Sequence, residues 1–137
     1  MNFVLDCSLA LAFVLADEAT ADTDKILDRF GQGEKACVPA LWRWEVANVL
    51  LNAERRNRIT QAEVTRNLSL LNSLPVLVDE AASDEAWHES LLLAQKHKLT
   101  SYDAAYLELA IRHGVALGSL DQELRAAALA ESVAVIP

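Results

Sequence analysis

The side chains in this sequence best suited to chemistry are carboxylates. Asp6 closes the apolar stretch Phe3-Val4-Leu5, and Glu45 sits among Trp42, Trp44, Val46 and Ala47. Asp103 follows Ser101-Tyr102, and Asp121 follows Leu117-Gly118-Ser119-Leu120. Brought together, these acids would line an anionic pocket with oxygen donors only, in which like charges raise one another's pKa unless cations compensate. Mg²⁺ or Mn²⁺ suits such a pocket, because hard ions bind a few carboxylates and keep waters that substrate phosphates can replace. One or two ions would activate a water and offset charge on the attacked phosphate. The chemistry expected of the set is phosphodiester hydrolysis.

Each acid also has a plain structural explanation. Asp6, between a buried strand and an apolar helix, would cap that helix and favour its dipole. Asp103 would be the acidic end of a capping box begun by Thr100, and Asp121 a first-turn charge behind a Ser119 cap. Glu45 lies inside a helix, where Glu45, Asn48, Asn52 and Arg55 follow helical steps and could form a solvated stripe. Taken singly, no acid decides between the two explanations. Their joint placement favours the chemical one.

That placement depends on the elements between them. Short β-prone stretches occur at Asn2 to Leu5, Ala36 to Val38, Val76 to Val78, Val115 to Leu117 and Val133 to Ile136, several without alternation, as in strands covered on both faces. Helical spacing with start signals separates them. Pro39 precedes Leu41 to Arg55, and Thr60 with Glu63 forms a box opening Ala62 to Leu71. Thr100 with Asp103 precedes Ala104 to Arg112, Ser119 with Gln122 precedes Leu124 to Ala130, and Gly114 closes the former helix. Alternation of this kind predicts an α/β fold with a parallel sheet of about five short strands between helical layers. Ligands of such sheets bind beyond the carboxyl ends of the strands, the rim at which Asp6, Asp121 and Asp103 are expected.

On these residues the sequence resembles PIN-domain nucleases of the VapC toxin type. Val-Leu-Asp6, Trp-Glu45-Val-Ala-Asn-Val-Leu, Ser-Tyr-Asp103-Ala-Ala-Tyr-Leu-Glu-Leu-Ala and Leu-Gly-Ser119-Leu-Asp121-Gln-Glu-Leu match, in order, the four acidic motifs of that family. The similarity runs from Asn2 to Ile136. It implies a Rossmann-like three-layer α/β/α sandwich, Mg²⁺ or Mn²⁺ dependence, cleavage of single-stranded RNA, a homodimer, and inhibition by a small VapB-like antitoxin. Carried over by position, it makes Asp6 and Asp103 the principal metal ligands. Glu45 would complete the site directly or through water, Asp121 would support a metal or its waters, and Ser119 would position that last carboxylate or a water. The sequence departs from the family pattern at Gly118, where many relatives carry a bulkier small residue, and at Gln122, where a basic residue is usual.

Other features bear on function less directly. Arg55, Arg56 and Arg58 form the densest basic cluster, equally explained as contacts to RNA or antitoxin and as solvated charge at a helix end. Lys96-His97-Lys98 is a weaker version. His88, His97 and His113 are expected on separate helices without ligand spacing, which argues against a zinc site. Trp42, Trp44 and Trp87 read as core or interface. Cys7 and Cys37 read as buried free thiols.

At 137 residues and 53% hydrophobic, with four glycines and three prolines, the chain suits one domain over residues 1–137. The longest apolar run, Leu9 to Ala16, is short of a membrane span, and the first residues lack the basic start of a signal peptide, so a cytoplasmic location is expected. The net charge of -8 sits awkwardly with RNA binding. Two divalent cations would halve it, and a basic partner segment would cover the rest. Two other readings remain: a catalytically silent PIN-like interaction module whose acids only cap helices, and a phosphohydrolase working through a covalent aspartyl intermediate. The second usually needs an acid two positions after the nucleophile, where Ser8 stands.

Overall fold

The computed structural model describes residues 1–80 and 84–137. Strand β1 (Phe3–Leu5) leads into helix α1 (Cys7–Ala12), followed by α2 (Ala21–Gly31), β2 (Ala36–Pro39), α3 (Leu41–Arg55) and α4 (Gln61–Ser73). Then come β3 (Val76–Asp79), α5 (Asp84–His97), α6 (Ser101–His113), β4 (Ala116–Gly118), α7 (Gln122–Ala130) and β5 (Val135–Ile136). All five strands pair in parallel, in the order β3-β2-β1-β4-β5.

Strand order and handedness together sort the helices into layers. The chain moves outward one way from β1 to β3, then jumps back to β4, and right-handed crossovers place connections made in opposite directions on opposite faces. Packing follows that rule: α1 meets α3 and α3 meets α4, while α6 packs on α5, α7 and the central strands. The result is the α/β/α sandwich expected from the sequence.

Phe3, Val4 and Leu5 are fully buried, which is why β1 shows no alternation. Edge strand β3 is covered less completely, and Leu77 remains 44% exposed. The predicted start signals hold at Thr60, whose box with Glu63 is reciprocal, and at Gly114, which ends α6 at φ 64°. Helix α2 has no Ser/Thr-x-x-Glu signature at its start. Its box uses Thr20 and Thr23 instead.

Two expectations need correction. His88 and His97 do not lie on separate helices: both belong to α5, which contains no Gly or Pro, and the chain turns only at Lys98 with φ 55°. Nine residues apart, they face opposite sides of that helix and share no site. The α7 start was also misread. Its N-cap is Asp121, which accepts from the Leu124 amide, while Ser119 is withdrawn into the interior.

Gly118 has a packing reason. A Cβ there would meet Leu9 Cδ2 at 2.8 Å and the Val4 carbonyl oxygen at 3.1 Å. The close approach lets the Gly118 carbonyl accept from the Asp6 amide at 3.0 Å. Gly118→Val is therefore expected to overpack this junction and lower stability by about 1–3 kcal/mol, read as a lower urea midpoint with an unchanged slope. Among the described residues, no helix is long and apolar enough to cross a membrane.

Candidate active site

Asp6 is the first residue beyond β1, and its backbone is extended as an N-cap requires. Its Oδ1 accepts from the Leu9 amide at 2.9 Å and from Ser8 Oγ at 2.7 Å. The Ser119 hydroxyl donates to Oδ2. Both serines also hold the loop after β4, since Ser8 Oγ accepts from the Leu120 amide and Ser119 Oγ from the Asp121 amide. The carboxylate is 4% exposed. Burial outweighs these hydrogen bonds and, with the charge of Asp103, pushes its pKa up to about 6.

Glu45 reaches the same place from the middle of α3. Its Oε1 accepts from the buried Tyr106 hydroxyl at 2.6 Å, and burial raises its pKa with a further push from Asp103. Asp103 lies in the first turn of α6. Its pKa is raised by burial and then by Asp121, against an opposing bond from Thr100. Thr100 caps α6 by accepting from the Asp103 amide at 3.1 Å, but Asp103 does not return a bond to the Thr100 amide, so the expected box is incomplete. Asp6, Glu45, Asp103 and Asp121 thus line one cavity of about 310 Å³ at the carboxyl ends of β1 and β4. The strand order reverses its direction of growth at β1, the position where open α/β sheets place ligands.

Among the other residues that line this cavity, Ser8, Glu18 and Tyr106 bring a hydroxyl or carboxyl group that the sequence did not single out for the site. Glu18 stands in the turn after α1 with no motif around it. Tyr106 is one helical turn beyond Asp103 inside the Asp-Ala-Ala-Tyr block, a spacing from which shared facing was available.

The donor set suits a hard divalent cation that keeps part of its water. Among the described residues, no three His, Cys, Asp or Glu side chains are grouped closely enough to hold a metal ion by themselves. Splayed carboxylates at raised pKa fit Mg²⁺ or Mn²⁺, which bind through one or two carboxylates and waters, better than a dehydrated tetrahedral ion. Cys7 is the soft group in the cavity, and burial followed by the charge of Glu45 raises its thiol pKa, keeping it protonated.

The PIN domain profile matches residues 3–129, nearly the whole length of the chain and all four acids. The chain belongs to the PIN-domain family. Over 124 residues it is 29% identical to Ribonuclease VapC3 of Pyrobaculum aerophilum, spanning 90% of this chain and 92% of that protein. A crystal structure from the same organism superimposes with a TM-score of 0.73 at 25% identity, covering 98% of this chain and 83% of that one. A toxin-antitoxin complex from Klebsiella pneumoniae gives a TM-score of 0.60 at 16% identity, covering 92% of this chain and 91% of that one.

Around this PIN site the basic residues divide. Arg58 is tied down, 2.8 Å from Asp17 and 3.7 Å from Glu18, whereas Arg55 and Arg56 are exposed and, among the described residues, make no ion pair. Lys96 is engaged with Glu131 at 3.0 Å. Trp42 is buried, while Trp44 and Trp87 are 78% and 76% exposed. Cys37 is buried and Cys7 half-buried, both free. A larger cavity of about 510 Å³ lies across α6 from the acids, lined by Trp87 and Tyr102. Two of the carboxylates that line it, Asp79 and Glu108, are paired with Arg112.

Proposed function

We propose that this PIN domain, residues 1–137, is a Mg²⁺- or Mn²⁺-dependent endoribonuclease and works as the toxin of a toxin–antitoxin pair. The observation that carries this reading is the cavity in which four elements present Asp6, Glu45, Asp103 and Asp121 to one another. The similarity to Ribonuclease VapC3 supports RNA as substrate, and the likeness to a toxin-antitoxin complex agrees with a small antitoxin partner. Asp6 and Asp103 would hold the ion, Glu45 would complete its shell directly or through water, and Asp121 would orient a water. When bound, the cation supplies an activated water and charge neutralisation at the phosphate.

The chain's own groups do the positioning. Ser8 Oγ bridges both oxygens of Asp6, and Ser119 donates to Oδ2. Arg55 and Arg56 would meet RNA phosphates beside a cavity whose own charge repels them. An antitoxin with a basic segment would offset that charge. It and a second copy of the chain would cover apolar surface such as Trp44 and Trp87.

The silent-module reading draws on the real capping roles of Asp6 and Asp121. It leaves Glu45, which sits mid-helix, and Asp103, whose helix Thr100 caps, without a purpose. Incubation of the purified protein with single-stranded RNA decides between them. Cleavage in Mg²⁺ that EDTA abolishes is expected, and an inert protein across varied RNA pools and both metals would favour the silent module. The double variant Arg55→Ala/Arg56→Ala is expected to raise KM several-fold, leave kcat near wild type, and flatten the salt dependence of RNA binding by about one unit of slope per lost phosphate contact.

A further inference from the structure

Tyr106 occupies a core position on α6 and is 1% exposed, packed in the same interior as Ala104, Leu107 and Leu109. A phenylalanine would fill that volume, and burying a phenol hydroxyl without a partner is unfavourable. The hydroxyl has one use: it donates to Glu45 Oε1 at 2.6 Å. Donor and acceptor belong to helices packed on different faces of the sheet, α6 and α3, and among the described residues this is the one side-chain hydrogen bond between them. Glu45 Oε2 has no hydrogen-bond partner among the described residues. Tyr106 and Asp103 are also three residues apart on α6, so one helix both carries an acid of the site and ties down another from across the rim.

We propose that Tyr106 is the positioning residue for Glu45: its buried hydroxyl holds Oε1, leaving Oε2 free to serve, directly or through a water, a cation that Asp6 and Asp103 would hold. The inference rests on the four-acid reading of the site. It makes Tyr106 an outer partner of the metal shell, a class of residue whose removal usually weakens metal binding about 10- to 100-fold. Without the hydroxyl, Glu45 samples several rotamers and loses its fixed reach into the cavity.

The test is Mn²⁺ affinity, read from the free-Mn²⁺ signal in electron paramagnetic resonance, on wild type, Tyr106→Phe, Glu45→Asp and the double variant. Tyr106→Phe is expected to bind Mn²⁺ about tenfold or more weakly. Glu45→Asp, which withdraws the carboxylate without touching the core, should lose affinity similarly. Adding Tyr106→Phe to Glu45→Asp should then change affinity less than about twofold, because both act through one contact. That lack of additivity is the signature a purely structural tyrosine would not give, and it stays readable if Tyr106→Phe also lowers the melting temperature. Wild-type affinity in Tyr106→Phe, or equal losses in both backgrounds, would overturn the inference and leave the site standing. A wild type that binds no Mn²⁺ would overturn both.

Discussion

At pH 7.5 without divalent cations, Asp6→Asn is expected to be more stable than the wild type by about 1–2 kcal/mol and to cleave RNA at least about 100-fold more slowly. The stability gain follows from the raised carboxyl pKa. Between the ordinary value of 3.8 and about 6, the folded protein keeps a proton on Asp6 that the unfolded chain has released. The unfolded state binds fewer protons, so stability falls as pH rises through that window, by about 3 kcal/mol in all. Asparagine carries no charge and escapes this loss. It keeps an acceptor for the Leu9 amide, but its NH₂ faces the hydroxyl that Ser119 donates to Oδ2, which returns about 1–2 kcal/mol. Urea unfolding at two pH values checks the sign: the advantage of the variant at pH 7.5 should vanish or reverse at pH 4. Adding Mg²⁺ should raise the wild-type stability by mass action and leave the variant unmoved. A variant less stable than wild type at pH 7.5 would mean that Asp6 serves the fold and not a cation.

Asp103→Asn should show the same catalytic loss without the stability gain. Its carboxylate is only half-buried, so removing the charge relieves much less repulsion, and Thr100 continues to cap α6 through the residue 103 amide. Cleavage should fall at least about 100-fold, while unfolding in cation-free buffer stays within about 0.5 kcal/mol of wild type. The pair of variants separates the two duties a carboxylate can have here. Asp6 both caps and faces the cavity, whereas Asp103 faces the cavity alone, so capping explains no part of an Asp103 defect. Undiminished cleavage by Asp103→Asn would remove it from the site.

Legibility in the sequence varied with the range of the interactions involved. Helix α3 has the bounds its periodicity and Pro39 indicate, and each strand lies within two residues of the apolar stretch that marks it, because local patterning and turn chemistry set both. The convergence of Asp6, Asp103 and Asp121 followed from a general rule about parallel sheets, not from any contact, whereas Glu45, mid-helix on α3, was placed with them by the family resemblance. What the sequence hid was long-range. Ser119 has the right type and spacing for a cap, yet it faces Asp6, which is 113 residues away in the chain. That choice depends on β4 lying beside β1. Glu18 enters the cavity from the turns that follow the six-residue α1. The role of Tyr106 needed the positions of two helices at once, and a core tyrosine looks like any other aromatic in a pattern. The histidine placement failed for a simpler reason: a continuous helix from 84 to 97 carries no breaker to divide it.

Mn²⁺-induced paramagnetic broadening in the amide spectrum of the wild-type protein, recorded beside Asp103→Asn, tests the central claim without knowledge of the RNA target. Broadening should centre on Asp6, Glu45, Asp103 and Asp121 and should largely disappear in the variant. Diffuse broadening over the acidic surface, or the same focused pattern in Asp103→Asn, would contradict a cation site built on these four acids.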